Sequence, residues 1–126
     1  MQAPSPYRFL ERFKKLSPTV LNDDQAFYFS QYLIEIALLD ASLLKYRASE
    51  IAAASLILAS RALKKPTQTW NREMERTSGI TEESLRPVVE DVRSFVVEVN
   101  PKFLTTLKYK FSKAEFMEVA SIPFKF

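Results

Sequence analysis

The sequence predicts an all-α fold: a five-helix bundle around a central apolar helix, with a short C-terminal helix and an irregular tail. No segment shows the alternation of apolar and polar residues that is typical of a half-buried strand. Apolar residues instead recur at helical spacing in successive segments, which polar residues and prolines separate. From Ser49 to Leu63 almost every face is apolar, so this helix is expected to have neighbours on all sides.

The composition excludes several kinds of chemistry. The chain has no cysteine and no histidine, which removes disulfides, Cys-His and Ser-His catalysis, and thiolate or imidazole zinc sites. Its single glycine excludes the glycine-rich loops that bind nucleotide phosphates. No cofactor and no metal ion are therefore expected.

Length and charge indicate the broad class of protein. The 126 residues are expected to form a single domain over 1–126, with a core in about 5–121. The net charge of +3 is spread along the chain and gives little support for nucleic acid binding. The longest apolar run, Ile51 to Ala59, is about half of the roughly 20 residues that span a membrane. Because Met1 to Ser5 do not resemble a signal peptide, we expect a soluble intracellular protein.

The first two helices differ in character. Ser5 can cap the first helix and Pro6 can open it, and the amphipathic pattern ends near Ser17 and Pro18. Asn22 or Asp23 begins the second helix, which runs from about Asp23 to Leu39 and stops near Asp40. A short helical turn is expected over 42–44.

The central helix is predicted to begin with Ser49 as its cap and Glu50 in its first turn. The small side chains of Ala52 to Ala54 would let neighbouring helices approach closely. Pro66 cannot continue this helix and disfavours helical geometry at the residue before it. A surface loop is therefore expected over 64–67.

Two further helices follow the loop. Trp70 and Met74 lie one turn apart on a short fourth helix, which Gly79 can end in a left-handed conformation. Thr81 can cap the fifth helix, and Pro87 inside it predicts a bend near the start. The apolar face of the fifth helix comprises Leu85, Val88, Val89, Val92, Phe95, Val96 and Val99.

The last helix is expected to begin at Asn100 and Pro101 and to run through about Tyr109. The remainder, 111–126, is predicted to be irregular, and its apolar Phe124 and Phe126 must either fold back or dock elsewhere.

Six motifs in these segments, from Pro4 to Pro123, occur in the order of one known family. SPYRFLERF is similar to TPxxFLxRF, YLIEIALLD to YLxEL-x-x-LD, and SEIAAA to the PSxIAAA start of a central helix. Trp70 stands where that family has tryptophan, SGITEESLRP resembles TGYTEESLxP, and KYKFSKAEFMEVASIP resembles KYxxSKxxxVAxxxP. The chain thus resembles the C-terminal cyclin box of A- and B-type (mitotic) cyclins.

The residues that carry this resemblance are chiefly structural in the family. They are Tyr32, Leu33, Glu35, Leu39, Asp40, Ser49, Ile51, Ala52, Ala53, Ala54, Trp70, Gly79, Thr81, Leu85, Pro87, Tyr109 and Lys113.

Two departures from the family pattern lie in the turns. Ala48 stands where the family has proline, and Ile80 where it has tyrosine, which would loosen the turn into the central helix and alter one packing contact.

The N-terminal cyclin box with its MRAIL-type patch is absent, as is a destruction box. The resemblance therefore implies the C-terminal part of a longer protein, in which Met1 is not the natural start.

The resemblance implies a regulatory function without enzymatic activity. Cyclins bind cyclin-dependent protein kinases and hold the kinase's mobile helix and activation loop in the active arrangement. In the family the C-terminal box mainly supports the N-terminal box of the same protein. The implied partners are that box and, through the full-length cyclin, the kinase, in nucleus and cytoplasm; membranes and nucleic acids are not expected partners. No catalytic residue is assigned, and the partner-binding residues stay unassigned.

Three groups of residues have an alternative interpretation. Glu35 and Asp40 could do acid-base chemistry, although capping or pairing with Arg47 or Arg61 is the simpler role. Adjacent Asp23 and Asp24 could bind a cation, or could complement a helix dipole. Trp70 could anchor a partner or pack beside Met74.

A basic and aromatic strip near the C-terminus could bind single-stranded nucleic acid, or its aromatic residues could pack inside while the lysines face solvent. It comprises Lys102, Phe103, Lys108, Tyr109, Lys110, Phe111 and Lys113.

Two functions of other classes stay open. The same fold occurs in general transcription factor B and in retinoblastoma-like pocket proteins, which bind DNA or peptides. A small helical enzyme would need an acid-base or metal constellation on facing helices, for which the sequence offers no candidate.

Overall fold

The computed structural model describes residues 6–16, 23–64 and 70–126. In these ranges the chain forms six α-helices joined by turns, and no strand, so the all-α prediction is confirmed. The α-helices are α1 (Pro6–Leu16), α2 (Asp24–Ala37), α3 (Ala48–Ala62), α4 (Arg72–Ser78), α5 (Glu82–Glu98) and α6 (Thr105–Phe111). Short 3-10 turns cover Ala41–Lys45, Pro101–Leu104, Ala114–Phe116 and Val119–Ser121.

Helix α3 is the centre of the bundle, as its sequence predicted. Every residue from Ile51 to Ser60 is buried, and α1, α2 and α5 all pack directly against this helix. Alanine at 52–54 leaves little side-chain bulk between the helix axes. Ser55 and Ser60 are also buried, and their hydroxyls find no hydrogen-bond partner in the described part of the chain.

The helix boundaries predicted at Asp23, Gly79 and Thr81 are confirmed, whereas α2 ends at Ala37 and not at the predicted Leu39. The Asp23 carboxylate accepts from the Ala26 amide at 3.1 Å at the start of α2. The Thr81 hydroxyl oxygen accepts from the Ser84 amide at 3.1 Å at the start of α5. Gly79 ends α4 with φ of 74°, the left-handed conformation that glycine adopts without strain. The boundaries expected at Ser5, Ser17, Pro18, Asn22 and Pro66 lie outside the described residues.

The prediction that Ser49 caps the central helix was wrong. The cap is Arg47, whose extended backbone (φ −71°, ψ 152°) precedes the helix, and Ser49 already lies in the first turn. The Arg47 amide donates to the Glu50 carboxylate at 2.9 Å. A glutamate three positions into the helix thus satisfies the cap amide, and the serine is not needed for this purpose.

The C-terminal segment is more regular than its sequence predicted. The backbone after Asn100 forms a 3-10 turn, so α6 begins only at Thr105 and continues to Phe111. Two further 3-10 turns occupy part of the tail that was expected to be irregular. Phe124 folds back and lies with its ring centroid 6.1 Å from that of Phe29. The tail is therefore ordered by aromatic packing on α2.

Trp70 was expected on the fourth helix, but it lies before α4, which begins at Arg72 with Asn71 as its cap. Trp70 and Asn71 join α4 to α1. The indole of Trp70 is buried, meets the ring of Phe13 edge-on at 5.0 Å, and donates to the Ile80 carbonyl at 2.9 Å. Asn71 donates to the Leu16 carbonyl at 3.1 Å and also accepts from the Met74 amide at the start of α4. The interpretation of Trp70 as a packing residue is confirmed. Pro87 lies inside α5, and the bend expected there stays a prediction.

Replacing Ala48 with proline should stabilise the protein. Ala48 is the first residue of α3, where an amide has no intrahelical acceptor, and the Arg47 backbone already has the extended geometry that precedes proline. Restricting the unfolded chain should therefore add about 0.5 kcal/mol to the free energy of unfolding. Urea denaturation followed by circular dichroism measures this, with Ala48→Gly as a control expected to be less stable than the parent. A loss of stability in Ala48→Pro would show that this turn does not have the geometry described.

Candidate protein-binding surface

One end of the bundle exposes a set of large apolar side chains. The end of α2, the turn that follows it, and the end of α5 with its own following turn meet there. Leu39 is 52% exposed, Leu44 68% and Phe103 73%. Because single exposed apolar residues are common but contiguous ones are not, this end is a candidate contact surface.

The first part of this surface is a small apolar cup beside the start of α1. Its cavity has a volume of about 230 Å³, and neutral side chains line it throughout the described residues. Pro6, the first residue of α1, lies at the cup together with Leu38, Leu43, Leu44, Tyr46 and Ile51.

The second part is an apolar groove at the end of α5. Its volume is about 500 Å³, and its lining residues are Leu39, Phe95, Val99, Asn100 and Phe103. Leu38 and Leu39, adjacent in sequence, therefore face different cavities, the first facing the cup and the second the groove.

An acidic recess lies between the cup and the groove. Asp40, Asp91 and Glu98 line it, and it shares Leu43 with the cup and Phe95 with the groove. The three cavities are therefore neighbours at this end of the bundle. The only cation in the described lining of the recess belongs to Lys45, whose ammonium lies 3.6 Å from the Asp91 carboxylate.

Two carboxylates of the recess are held by local hydrogen bonds. Asp40 accepts from the amide and hydroxyl of Ser42 at 2.9 and 2.8 Å and thereby caps the 3-10 turn. The Tyr46 hydroxyl donates to Asp91, and this hydrogen bond is the main reason that the pKa of Tyr46 is raised to about 12. Both side chains are thus fixed in position.

Glu35 makes contacts that connect helices. Its carboxylate receives hydrogen bonds from the Lys110 ammonium at 3.1 and 3.3 Å. Tyr7 is also hydrogen-bonded to Glu35. Burial is the main reason that the pKa of Tyr7 lies above its usual range, and the charge of the Glu35 carboxylate is the second. Glu35 therefore joins α1, α2 and α6. Its partner is Lys110, which the sequence hypotheses of pairing with Arg47 or Arg61 did not name.

The residues of the basic and aromatic strip have different environments. Phe111 is buried, as the packing interpretation expected, but Phe103 and Tyr109 are exposed, so that interpretation was wrong for these two. Lys110 pairs with Glu35, and the Lys113 ammonium lies 5.0 Å from the centre of the Tyr109 ring. Phe103 instead belongs to the apolar groove.

The residues that carry the family resemblance divide by exposure. Those in the core are Tyr32, Leu33, Ile51, Ala52, Ala53, Ala54, Trp70 and Leu85. Glu35, Asp40 and Ser49 are partly buried, and the exposed ones are Leu39, Gly79, Thr81, Pro87, Tyr109 and Lys113. Of this set only Leu39 and Asp40 line the groove or the recess.

Sequence reasoning did not identify the groove or the recess. Phe95 and Val99 belong to the predicted apolar face of the fifth helix, and both are only partly buried. The spacing of the apolar residues does not indicate that the apolar face of α5 extends beyond the part that packs in the bundle. Phe103 was singled out in the sequence, but for the strip rather than for the groove.

No acidic cluster of three or more residues suited to a metal ion occurs in the ranges that the structure covers. Asp23 caps α2, and Asp24 lies in the first turn of α2 and pairs with Lys14 of α1 at 3.1 Å. Among the described helices, none is long and apolar enough to cross a membrane.

The family of this chain is shown by its similarity to known proteins. A model of the C-terminal domain of cyclins matches residues 4–125. The chain belongs to the cyclin C-terminal domain family. It is 33% identical over 95% of its length to the G2/mitotic-specific cyclin-B2 of Oryzias curvinotus, and 32% identical over 96% to the G2/mitotic-specific cyclin-B3 of Caenorhabditis elegans.

The cyclin domain spans about 30% of the length of these mitotic cyclins. The resemblance seen in the sequence is thus confirmed over nearly the whole chain. The matches favour a cyclin regulatory role over the transcription-factor and pocket-protein alternatives.

The tyrosine of the YLIEIALLD motif should affect stability at high pH. The Tyr32 hydroxyl is buried without a hydrogen-bond partner in the described residues, and burial raises its pKa to about 12 from the usual value near 10. Because folding disfavours the phenolate, stability should be constant below pH 10 and fall as the pH rises toward 12. Tyr32→Phe should be as stable as the parent, or slightly more stable, at pH 7.

The thermal unfolding midpoint measured at pH 7 and pH 11 checks this. Tyr32→Phe should lose less stability than the parent between the two values, while the exposed Tyr109→Phe should match the parent. Equal losses in all three proteins would contradict the buried, unpartnered state of Tyr32.

Proposed function

We propose that this chain is the regulatory, non-catalytic C-terminal box of a mitotic-type cyclin, folded as one domain over 1–126. It would support the N-terminal cyclin box of the same protein and so help to activate a cyclin-dependent protein kinase. Family membership supports this proposal, together with the length of the relatives, which leaves room for a preceding box. The corresponding location is nucleus and cytoplasm.

The apolar cup is the observation that carries the proposal. It has neutral lining in the described residues and exposes Leu44, so it suits a permanent apolar contact better than a transient one. Pro6 lies at the cup, so a domain attached before α1 would be close to it. We therefore assign the cup to the contact with the N-terminal box.

The proposed mechanism is positional. Kinase activation requires a mobile helix and an activation loop to be held in one arrangement, and a rigid two-box cyclin can supply that surface. The C-terminal box contributes by fixing the N-terminal box, without chemistry of its own. This box alone should accordingly leave the kinase inactive.

A domain-exchange experiment tests this function. The C-terminal box of Oryzias latipes cyclin-B2 is replaced by this chain, and histone phosphorylation by a cyclin-dependent kinase is measured. The chimera should exceed the N-terminal box alone by roughly tenfold, an effect worth about 1.4 kcal/mol. This chain alone should give no stimulation.

Two variants of the chimera locate the contact. Leu44→Glu would place an unpaired carboxylate in an apolar interface and should abolish most of the gain. Val97→Glu, also at an exposed apolar residue but outside the cup, should retain it. Stimulation by the isolated chain, or equal activity of the two variants, would contradict the proposal.

A further inference from the structure

The apolar groove differs from the cup in its electrostatic surroundings. The cup has neutral lining, whereas the groove adjoins, at the shared residue Phe95, the recess with Asp40, Asp91 and Glu98. A contact that is permanently buried would leave these carboxylates desolvated, which is costly without paired cations. The groove is therefore suited to a different occupant from the cup.

The end of α5 strengthens the negative potential there. The last turn of this helix has no basic residue and carries Glu98, at the end where the helix dipole is itself negative. Among the described residues that line the recess, Lys45 is the only cation beside three carboxylates, although the whole chain has a net charge of +3. Arg93, outside the lining, pairs with Glu90 and also interacts with Glu98. The potential at the recess should thus attract cationic groups from solution.

We propose that the apolar groove and the acidic recess together bind a short peptide segment of a partner protein. The segment has a leucine or aromatic side chain for the groove and one or two neighbouring lysines or arginines for the recess. The shared residue Phe95 places the two cavities side by side, so one short segment can reach both. This binding does not depend on the proposed role in kinase activation.

Charge also argues against a second copy of this chain as the occupant. Pairs of identical subunits usually associate about a two-fold axis, which brings the same patch of each copy together. Here that would oppose the acidic recess to another acidic recess, and like charges in contact are unfavourable. A basic segment of a different protein satisfies both the groove and the recess.

The expected affinity is modest and depends on salt. The groove holds one or two apolar side chains, and the carboxylates at its edge remain near solvent, where ion pairs contribute little and are screened. Recognition of this kind uses an apolar anchor for affinity and charge for selectivity. Dissociation constants of roughly 10 μM to 1 mM are expected, rising with ionic strength.

Fluorescence anisotropy with labelled synthetic peptides tests the proposal on the chain as it stands. The probes are four ten-residue peptides, each with a tryptophan-leucine pair and two lysines placed one, two, three or four positions away. Matched peptides replace the lysines with glutamates, or the apolar pair with serines. At least one lysine peptide should show saturable binding, and both kinds of matched peptide should bind at least roughly tenfold more weakly.

Variants of exposed residues locate the binding site without disturbing the fold. Phe103→Ser should weaken binding by roughly tenfold, and Glu98→Lys by roughly threefold at low salt. Tyr109→Ser, at an equally exposed aromatic residue outside the groove, and Glu11→Lys, on α1, are the matched controls and should bind like the parent. Circular dichroism of each variant confirms that it is folded.

Three results would overturn the proposal. The first is the absence of saturable binding of any lysine peptide at protein concentrations up to 1 mM, which would detect a binding free energy of about −4 kcal/mol. The second is binding that Leu44→Glu abolishes and Phe103→Ser leaves unchanged, which would place the site in the cup. The third is self-association, measured by sedimentation velocity, that Phe103→Ser removes and the peptides do not compete with. Because no kinase is present, failure here leaves the domain-exchange experiment unaffected.

Discussion

The packing of α1, α2 and α5 on the central helix α3 determines where the other parts of the fold lie. The buried run of α3 from Ile51 to Ser60 lies against α1, α2 and α5, and the alanines at 52–54 put little side-chain bulk between α3 and its neighbours. Alanine loses no side-chain entropy when it is buried, so it suits this position. Because α2 and α5 are both fixed on α3, their C-terminal ends lie close enough to share the recess at one end of the bundle. The contact surface is thus a consequence of the packed core.

The sequence predicted the parts of the fold that depend on local chemistry. The apolar faces, the caps at Asp23 and Thr81, and the left-handed Gly79 each follow from a few neighbouring residues. Ser49 was mistaken for a cap because the competing hydrogen bond from Arg47 to Glu50 depends on geometry that residue type alone does not specify. The regular turns near the C-terminus likewise depend on packing against α2.

The candidate surface could not be predicted from spacing. Phe95 and Val99 continue the apolar face of α5, and only the end of the bundle decides that they line a groove instead of the core. Asp40 and Asp91 are far apart in sequence and meet in the recess because α3 fixes α2, which Asp40 follows, and α5, which carries Asp91. Family membership indicates the cyclin role, while the charge that separates the groove from the cup is visible only in three dimensions.

We infer that the small side chains of α3 set the distances between this helix and its neighbours. The most direct test is the free energy of unfolding of Ala53→Leu, measured by urea denaturation beside Ala62→Leu at the half-buried end of the same helix. Overpacking at Ala53 should reduce the stability by about 1–3 kcal/mol or prevent folding, with a much smaller effect at Ala62. Equal stability of Ala53→Leu and Ala62→Leu would contradict the claim.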